Sequence, residues 1–303
     1  MRIVAALGGN ALLERGEPPD SDVQEARVAA AAGSLARLAR EHQLIISHGN
    51  GPQVGMLAIE SAADPALSHP YPFDTLGAQT QGMIGYWLVQ AMQNVLPDRD
   101  VACLISRTLV RSDDPAFGSP AKFVGPVYPE ADARRLAAAN GWTIGQDGAK
   151  WRRVVPSPEP AALLDLAVIA GLAERATIVI CCGGGGIPVV RTPAGQLRGV
   201  EAVVDKDLTA ALLAQSVGAD VLLLLTDVPA VEAGFGTPAA RPIGRVTAAE
   251  LRRTGTAFAG GSMGPKIEAA CRFVESGGRM AAIGRLGDAA ALLAGNAGTI
   301  VTS

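Results

Sequence analysis

The chain has 303 residues and a formal net charge of −3, and 49% of its residues are hydrophobic while 18% are charged. This balance describes a chain with a large core and excludes a disordered one. It also argues against a general nucleic-acid binder, because no surplus of cations is available to neutralise many phosphates. At this length, one large α/β domain or two lobes are expected.

Cysteines and apolar runs set further limits. The four cysteines have no C-x-x-C spacing, so they predict neither a zinc site nor a disulfide framework. The amino terminus enters a strand-like run at once, and no apolar run approaches the roughly 18 residues of a membrane helix. We therefore expect a cytoplasmic protein with no membrane partner, no nucleic-acid partner and no metal held by protein side chains.

The first part of the chain alternates short aliphatic runs with longer amphipathic stretches, which predicts βα units and a mainly parallel sheet. A capping-box pattern at Ser21 and Gln24 opens a helix that is expected to end near Glu41. A second long helix is expected at 75–96. Strands are expected at 2–7, 44–46 and 101–106.

Residues 112–156 change character, because they are rich in proline, glycine and aromatic residues. A structureless loop of this length is uncommon, so the segment predicts an inserted lid subdomain. Beyond it the pattern predicts, in order, a helix at 158–172, a strand at 177–181, a helix at 206–217 and a strand at 221–225.

Three glycine-rich turns follow predicted strands, at 8–9, 49–51 and 183–186. In an open parallel sheet, ligands bind at the carboxyl ends of the strands, where bare backbone N–H groups form anion cradles. The turns therefore predict a phosphate or carboxylate site, although ordinary tight turns also use glycine. The G-x-x-x-x-G-K-[ST] motif and the G-x-G-x-x-G fingerprint are absent, so a nucleotide would be bound by another arrangement.

Lysine is rare in this chain, since only four of the 26 Lys and Arg residues are lysines. Lys122, Lys206 and Lys266 lie in short segments rich in glycine, proline or aspartate, whereas Lys150 is expected to be a solvated lid residue. A compact ammonium group suits phosphate. The run Asp205-Lys206-Asp207 fits ordinary helix capping, and it also fits a lysine held by carboxylates and aimed at a phosphoryl group.

Seven segments spread over essentially the whole chain resemble the carbamate kinases, a branch of the amino-acid kinase superfamily. The stretch around Lys122 resembles the protruding subdomain that distinguishes carbamate kinases from their relatives. The segments are 8–11, 48–55, 79–86, 154–158, 183–188, 204–207 and 261–266.

The pattern and the resemblance together predict an α/β class fold. We expect a three-layer α/β/α sandwich with a mainly parallel central sheet and a protruding lid inserted at about 112–156. Within this single amino-acid-kinase-like domain, residues 1–204 would form the lobe for carbamoyl phosphate and carbamate. Residues 205–303 would form the nucleotide-binding lobe.

The resemblance implies reversible phosphoryl transfer from carbamoyl phosphate to ADP, giving ATP and carbamate, as in arginine fermentation. The implied cofactors are ATP or ADP, with Mg²⁺ carried by the nucleotide phosphates. The implied partners are these small molecules and a second copy of the chain in a homodimer. We place the dimer contact on the predicted helix at 75–96.

Roles for individual residues also follow from the resemblance. Lys206 and Lys266 would flank the phosphoryl group in flight and Asp207 would orient them, while Lys122 would reach from the lid toward carbamoyl phosphate. Asn10 completes this implied catalytic set. The phosphoryl and carbamate groups would be cradled by Gly9, Asn10, Gly49, Asn50 and Gly51. The nucleotide pocket would be lined by Thr226, Asp227, Val228, Phe235, Gly236, Met263 and Lys266.

Two alternatives stay open at this point. Another kinase of the superfamily, acting on an acylamino acid or a nucleoside monophosphate, would share the turns and lysines, although the lid and Lys122 argue against it. A non-catalytic nucleotide or metabolite sensor would keep the cradle without turnover. A serine hydrolase is excluded, because the G-x-S-x-G pattern at 260–264 has no histidine after it in the chain.

Overall fold

The computed structural model describes residues 1–9, 12–14, 16–254 and 262–303. Asn10, which the resemblance places in the catalytic set, lies outside the described residues. None of the helices within these ranges is both long and apolar enough to cross a membrane.

Helices and strands follow one another along the described part of the chain. The helices are α1 (Ser21–Glu41), α2 (Gly51–Ala63), α3 (Phe73–Val95), α4 (Glu130–Asn140), α5 (Leu166–Glu174), α6 (Lys206–Ser216), α7 (Ala248–Thr254), α8 (Met263–Glu275) and α9 (Ala289–Leu293). The first nine strands are β1 (Arg2–Leu7), β2 (Gln43–His48), β3 (Val101–Cys103), β4 (Arg107–Val110), β5 (Lys122–Tyr128), β6 (Thr143–Asp147), β7 (Lys150–Val155), β8 (Pro160–Leu163) and β9 (Ile178–Ile180). The others are β10 (Ile187–Arg191), β11 (Leu197–Gly199), β12 (Val221–Thr226), β13 (Glu232–Ala233), β14 (Arg241–Pro242), β15 (Arg245–Thr247), β16 (Met280–Arg285) and β17 (Thr299–Thr302).

An eight-stranded sheet forms the centre of the molecule, in the order β15-β17-β16-β12-β1-β2-β9-β3. Its neighbouring strands are parallel except for the antiparallel pair β16 and β17. Strand β1 lies in the middle, with Ile3 beside Val221 of β12 and Leu44 of β2. Strand β12 is buried along its whole length, as expected for a parallel strand that is covered on both faces.

Alternate residues of these strands pack on opposite faces of the sheet, which produces three layers. On one face Val4 and Leu222 pack with apolar residues of α5, α6 and α8. On the other face Ile3 and Leu223 pack with α1, α3 and α9. The predicted α/β/α sandwich with a mainly parallel central sheet is confirmed.

The lid is a small antiparallel unit that lies within the predicted segment. Strands β5, β7 and β6 form a three-stranded sheet, and α4 is inserted between β5 and β6. The lid contacts α2 closely, because a Cβ atom on Gly55 would lie only 3.1 Å from the Cα atom of Gly125. Glycine at position 55 is therefore what allows the lid to approach α2.

A second sheet, in the order β11-β10-β4-β8, was not predicted. The helix predicted at 158–172 is wrong in its first half, since this stretch contains β8 and the helix α5 begins only at Leu166. Strand β8 pairs antiparallel with β4, with Ala162 beside Leu109. Likewise the strand predicted at 101–106 ends at Cys103, and the chain then enters β4 in this other sheet.

The capping box predicted at the start of α1 is also wrong, although both bounds of the helix were correct. Asp20 is the N-cap residue and its side chain makes no capping hydrogen bond. The Ser21 hydroxyl donates instead to Glu25, over 2.9 Å, and the Gln24 side chain donates to the Pro19 carbonyl, over 2.7 Å. Both side chains thus donate to other groups, whereas in a capping box each would accept the backbone N–H of the other residue.

Candidate active site

The first two glycine turns meet at the carboxyl ends of β1 and β2. The Gly49 N–H donates to the Leu7 carbonyl at 2.8 Å, which joins the two turns. A Cβ atom on Gly49 would lie 2.8 Å from the Gly9 nitrogen and 3.2 Å from the Lys206 Cδ atom. Any side chain at position 49 would therefore push these segments apart, and the structure brings Gly9, Gly49 and Lys206 together as the sequence predicted.

Asn50 and Gly51 lie at the amino end of α2, beside these turns. Gly51 is the first residue of the helix, and Asn50 is its N-cap residue. The Asn50 side chain is buried, and its Nδ2 atom donates to the Thr80 hydroxyl over 2.8 Å. Backbone N–H groups at a helix amino end attract anions, so this corner can hold a negatively charged group.

The third glycine turn, Gly183–Gly185, covers the Asn50 side chain. Gly184 has φ +64°, and a Cβ atom there would lie 2.3 Å from Asn50 Nδ2. The Gln81 side chain fixes the turn, because its Nε2 atom donates to the Gly183 carbonyl over 3.0 Å. Thr209 of α6 donates to the Gly185 carbonyl, also over 3.0 Å. The turn is therefore a rigid wall of the site.

Sequence reasoning missed the polar side chains that hold this wall. Gln81 is buried and also accepts the Ser106 N–H over 2.8 Å. The Thr108 hydroxyl donates to the same Gly185 carbonyl, over 2.8 Å. No motif marks Thr108 or Thr209, whereas Gln81 lies inside one of the segments that carried the resemblance and could have been found there.

Asp205 serves two functions at the start of α6. Its Oδ1 atom accepts the N–H groups of Asp207, over 2.9 Å, and Leu208, over 3.4 Å, and so caps the helix. Its Oδ2 atom pairs with Lys122 of the lid at 2.7 Å. The capping interpretation of this segment is therefore correct, and Asp205 in addition holds the lysine of the lid.

Asp207 joins two lysines from different helices. Its Oδ1 atom lies 2.5 Å from Lys206 Nζ, and its Oδ2 atom lies 3.2 Å from Lys266 Nζ. The carboxylate is buried and the Lys266 side chain is only 4% exposed. One carboxylate thus holds two ammonium groups in fixed positions.

The charges of this lysine cluster (Lys122, Asp205, Lys206, Asp207 and Lys266) favour an anion. Three ammonium groups face two carboxylates at the amino end of α6, where the helix dipole is also positive. Burial and then repulsion from Lys206 lower the pKa of Lys266, against the attraction of Asp207. Burial acts to raise the pKa of Asp205, but Lys122, Lys206 and the Asp207 N–H together outweigh it and the pKa is lowered. The cluster is therefore short of negative charge.

His48 lies beneath the glycine turns, at the end of β2. Its ring is buried, and its Nδ1 atom lies 3.0 Å from the Gly49 carbonyl, which can only accept, so Nδ1 carries the proton. Burial lowers the pKa of His48 to about 4, against the Gly49 hydrogen bond and with a contribution from Lys206. The ring is neutral at neutral pH and acts as a packing and hydrogen-bonding group.

Some residues predicted for the nucleotide pocket lie near the glycine turns and Lys266, and the others lie in an exposed segment between β13 and β14. Thr226 ends β12 beside Gly8, whose Cβ position is 3.6 Å from the Thr226 Cα atom, and Met263 opens the helix that carries Lys266. The Thr226 hydroxyl donates to Asp227 over 3.0 Å, and Val228 follows partly buried. Phe235 is 76% exposed in the segment between β13 and β14, and Gly236 follows it with φ +77°.

Glycine turns at the strand ends, with lysines from two helices around one carboxylate, define a phosphate-handling enzyme of the α/β class. The model of the Amino acid kinase family matches residues 1–284 of this chain. The chain belongs to the amino acid kinase family, and it is a kinase that uses ATP or ADP.

Within this family its relatives are carbamate kinases. The carbamate kinase of Rhizobium meliloti is 49% identical over 307 residues, which cover 100% of this chain and 94% of the relative. That of Escherichia coli is 47% identical over 300 residues, with 99% of both chains covered. Carbamate kinase from Giardia lamblia bound to AMP-PNP superimposes with a TM-score of 0.91 at 37% identity, covering 99% and 98% of the two chains.

Proposed function

We propose that this chain transfers a phosphoryl group reversibly between carbamoyl phosphate and ADP, which yields carbamate and ATP. The single observation that carries the proposal is the lysine cluster. Lys206 and Lys266 share Asp207, and Lys122 pairs with the adjacent Asp205. Positive charge held in fixed positions is what phosphoryl transfer requires of a protein.

Lys206 and Lys266 would stabilise the transferred group. In the transition state, negative charge is spread over the equatorial oxygens of the phosphoryl group, and ammonium groups fixed beforehand stabilise it without reorganisation. Asp207 supplies that fixation, because it binds one lysine with each oxygen. The backbone N–H groups of Gly9 and Gly51 would hold the oxygens on the other side of the group, while the Gly49 N–H stays bound to the Leu7 carbonyl.

Lys122 would bind carbamoyl phosphate from the lid. Its side chain is 39% exposed, and its partner Asp205 also accepts two backbone N–H groups. Both N–H groups bind Oδ1 whereas Lys122 binds Oδ2, so Asp205 would keep its capping hydrogen bonds while Lys122 exchanged it for a substrate phosphate. Asn10 stays a predicted member of the catalytic set.

The nucleotide would lie over the carboxyl-terminal lobe, near Thr226, Asp227, Val228, Phe235, Gly236 and Met263. Among the described residues, no group of three or more His, Cys, Asp and Glu side chains is arranged to hold a metal ion. Mg²⁺ prefers to bind through substrate phosphates together with few protein carboxylates. We therefore propose that Mg²⁺ enters with the nucleotide, where it would neutralise phosphate charge.

The lobe boundary, the cytoplasmic location and the homodimer stay predictions. Residues 1–204 would hold the carbamoyl end and residues 205–303 the nucleotide. The proposed dimer contact on α3 is supported by Tyr86, a large side chain that is exposed on this helix. Sedimentation would test the dimer directly.

The test of the function is a coupled assay for ATP. Wild-type protein with ADP, Mg²⁺ and carbamoyl phosphate should form ATP, and reactions that lack any one of these should not. N-acetylglutamate and UMP, each offered with ATP, serve as controls for other kinases of the superfamily. Calorimetric binding of ADP without any phosphoryl transfer would support a sensor and contradict the proposal.

A further inference from the structure

Two ion pairs connect the lid with one short segment of the body. Lys122 of β5 pairs with Asp205 at 2.7 Å, and Arg153 of β7 pairs with Glu201 at 2.5 Å. Both carboxylates lie on residues 201–205, the segment that leads directly into α6 and its lysine. The lid is therefore attached next to the proposed phosphoryl site at two points.

Arg153 is the more firmly held of the two basic residues. Its guanidinium group lies 4.8 Å from the ring centre of Phe73 and 4.6 Å from that of Trp142. Phe73 opens α3 in the body, whereas Trp142 belongs to the lid, so this stack crosses the boundary between them. The Glu201 carboxylate also accepts the Phe73 N–H over 2.8 Å, which closes the ring of contacts.

Exposure separates the two attachments. The Arg153 side chain is 16% exposed and that of Lys122 is 39% exposed. The carboxylates rank in the opposite order, since Glu201 is 42% exposed and Asp205 is 12% exposed, so the two ion pairs alone do not decide which contact is stronger. The two aromatic rings add a partly desolvated cation–π stack on the Arg153 side. The Arg153 contact should therefore persist while the Lys122 contact is exchanged for substrate.

The strand register connects Arg153 to Lys122. In the antiparallel pair of β5 and β7, Val124 lies beside Arg153 and Lys122 lies beside Val155. Lys122 thus lies on the neighbouring strand, two residues from the partner of Arg153. A shift of β7 at Arg153 would therefore also move the backbone of Lys122. Next to the stack, a cavity of about 180 Å³ lies between part of α2 and the lid, beside the close contact of Gly55 with Gly125.

We propose that Arg153 is a positioning residue of the lid, whose contacts with Glu201, Phe73 and Trp142 set the reach of Lys122 toward carbamoyl phosphate. This inference rests on the proposed function. It assigns Arg153 no contact with substrate, since its effect passes through Lys122. Loss of Arg153 should thus weaken the use of carbamoyl phosphate and leave the nucleotide side unchanged.

The test is a double-mutant cycle on steady-state kinetics. Arg153→Met keeps an aliphatic stem between the two rings and removes the charge. We expect the KM for carbamoyl phosphate to rise about tenfold, with kcat and the KM for ADP within about twofold of wild type. In a Lys122→Met background, Arg153→Met should change kcat/KM by less than about twofold, because the two residues act as one unit.

Two further variants keep the test decisive. Arg134→Met is the matched control, because Arg134 stacks on Trp151 at 5.2 Å wholly within the lid, and it should leave every kinetic constant unchanged. Glu201→Gln removes the same ion pair by changing the residue of the body. If Arg153→Met does not fold, Glu201→Gln replaces it in the cycle, and it should likewise change kcat/KM by less than about twofold in the Lys122→Met background.

The outcomes also separate the inference from the function beneath it. Additive losses from Arg153→Met and Lys122→Met, or equal effects on the KM values of both substrates, would overturn the positioning role while leaving the kinase assignment intact. Wild-type protein without carbamoyl phosphate-dependent ATP formation would overturn both.

Discussion

The body and the lid each present lysine to a carboxylate of the same three-residue segment, yet the two pairings differ in their surroundings. Lys266 of the body is buried against Asp207, which it shares with Lys206. Lys122 of the lid is half-exposed against Asp205. The buried pair of Lys266 and Asp207 is therefore fixed before substrate arrives, whereas the half-exposed Lys122 can exchange its partner.

Removing either lysine that binds Asp207 should produce the largest effect. Lys206→Met and Lys266→Met should each lower kcat by about 10²–10⁴-fold, because each loses a fixed positive charge at the transferred group. The coupled ATP assay measures this loss. Lys150→Ala is the control, since Lys150 is exposed in the lid and should retain wild-type turnover. A kcat within about threefold of wild type for either Lys206→Met or Lys266→Met would contradict the role of the fixed charges.

Removing the lid lysine should act on substrate binding more than on turnover. Lys122→Met should raise the KM for carbamoyl phosphate by about tenfold or more and leave the KM for ADP unchanged, because the residue contacts only one substrate. Initial-rate measurements with each substrate varied in turn separate the two constants. Equal effects on both would show that the lid acts on the whole site and not through Lys122.

The central sheet was predictable because its signals are local. The apolar run at 221–225 is strand β12, and the glycine turns after β1 and β2 lie where strand ends in a parallel sheet must lie. The lysines were found because arginine replaces lysine almost everywhere else in this chain. A continuous apolar run, which is typical of a strand buried on both faces, and the rarity of lysine can both be read from the sequence alone.

The remaining features depend on contacts between distant residues. The apolar residues of β8 fit a helix or a strand equally well, and only pairing with β4 decides between them. The Arg153 stack joins residues 80 positions apart (153 − 73), and no local pattern marks Phe73 as its partner. The capping box does not form, because the Gln24 N–H binds the Asp20 carbonyl and both side chains donate to other groups.

Lys266 should lose its proton at a lower pH than an ordinary lysine. The lowered pKa of Lys266 places the loss of its proton below the ordinary lysine value of 10.5, so kcat/KM, which reports the free enzyme, should fall on the alkaline side below that pH. Asp207→Asn should move this fall to still lower pH, because Asp207 opposes the shift. Profiles of kcat/KM against pH for both proteins measure the effect. A fall in wild-type kcat/KM only above pH 10.5 would contradict a buried, positively charged Lys266.

Acidic pH should lower the free energy of unfolding through protonation of His48. Its pKa is near 6.5 in the unfolded chain and about 4 in the folded protein, so stability is fully present above 6.5 and is lost as the pH falls toward 4. Relative to His48→Gln, wild-type protein should lose about 2 kcal/mol of unfolding free energy between pH 7 and pH 5. Urea titrations at the two pH values provide the comparison, and identical losses in both proteins would remove His48 as the cause.

The convergence of three lysines on one phosphoryl group is tested most directly by a crystal structure with Mg²⁺, ADP and the inert analogue phosphonoacetamide. The account predicts that the Nζ atoms of Lys122, Lys206 and Lys266 all lie within hydrogen-bonding distance, about 2.7–3.2 Å, of phosphonate or β-phosphate oxygens. Lys122 would then have left Asp205, while Asp207 would still hold the other two. A phosphonate bound in a different cavity from Lys206 and Lys266 would contradict the account.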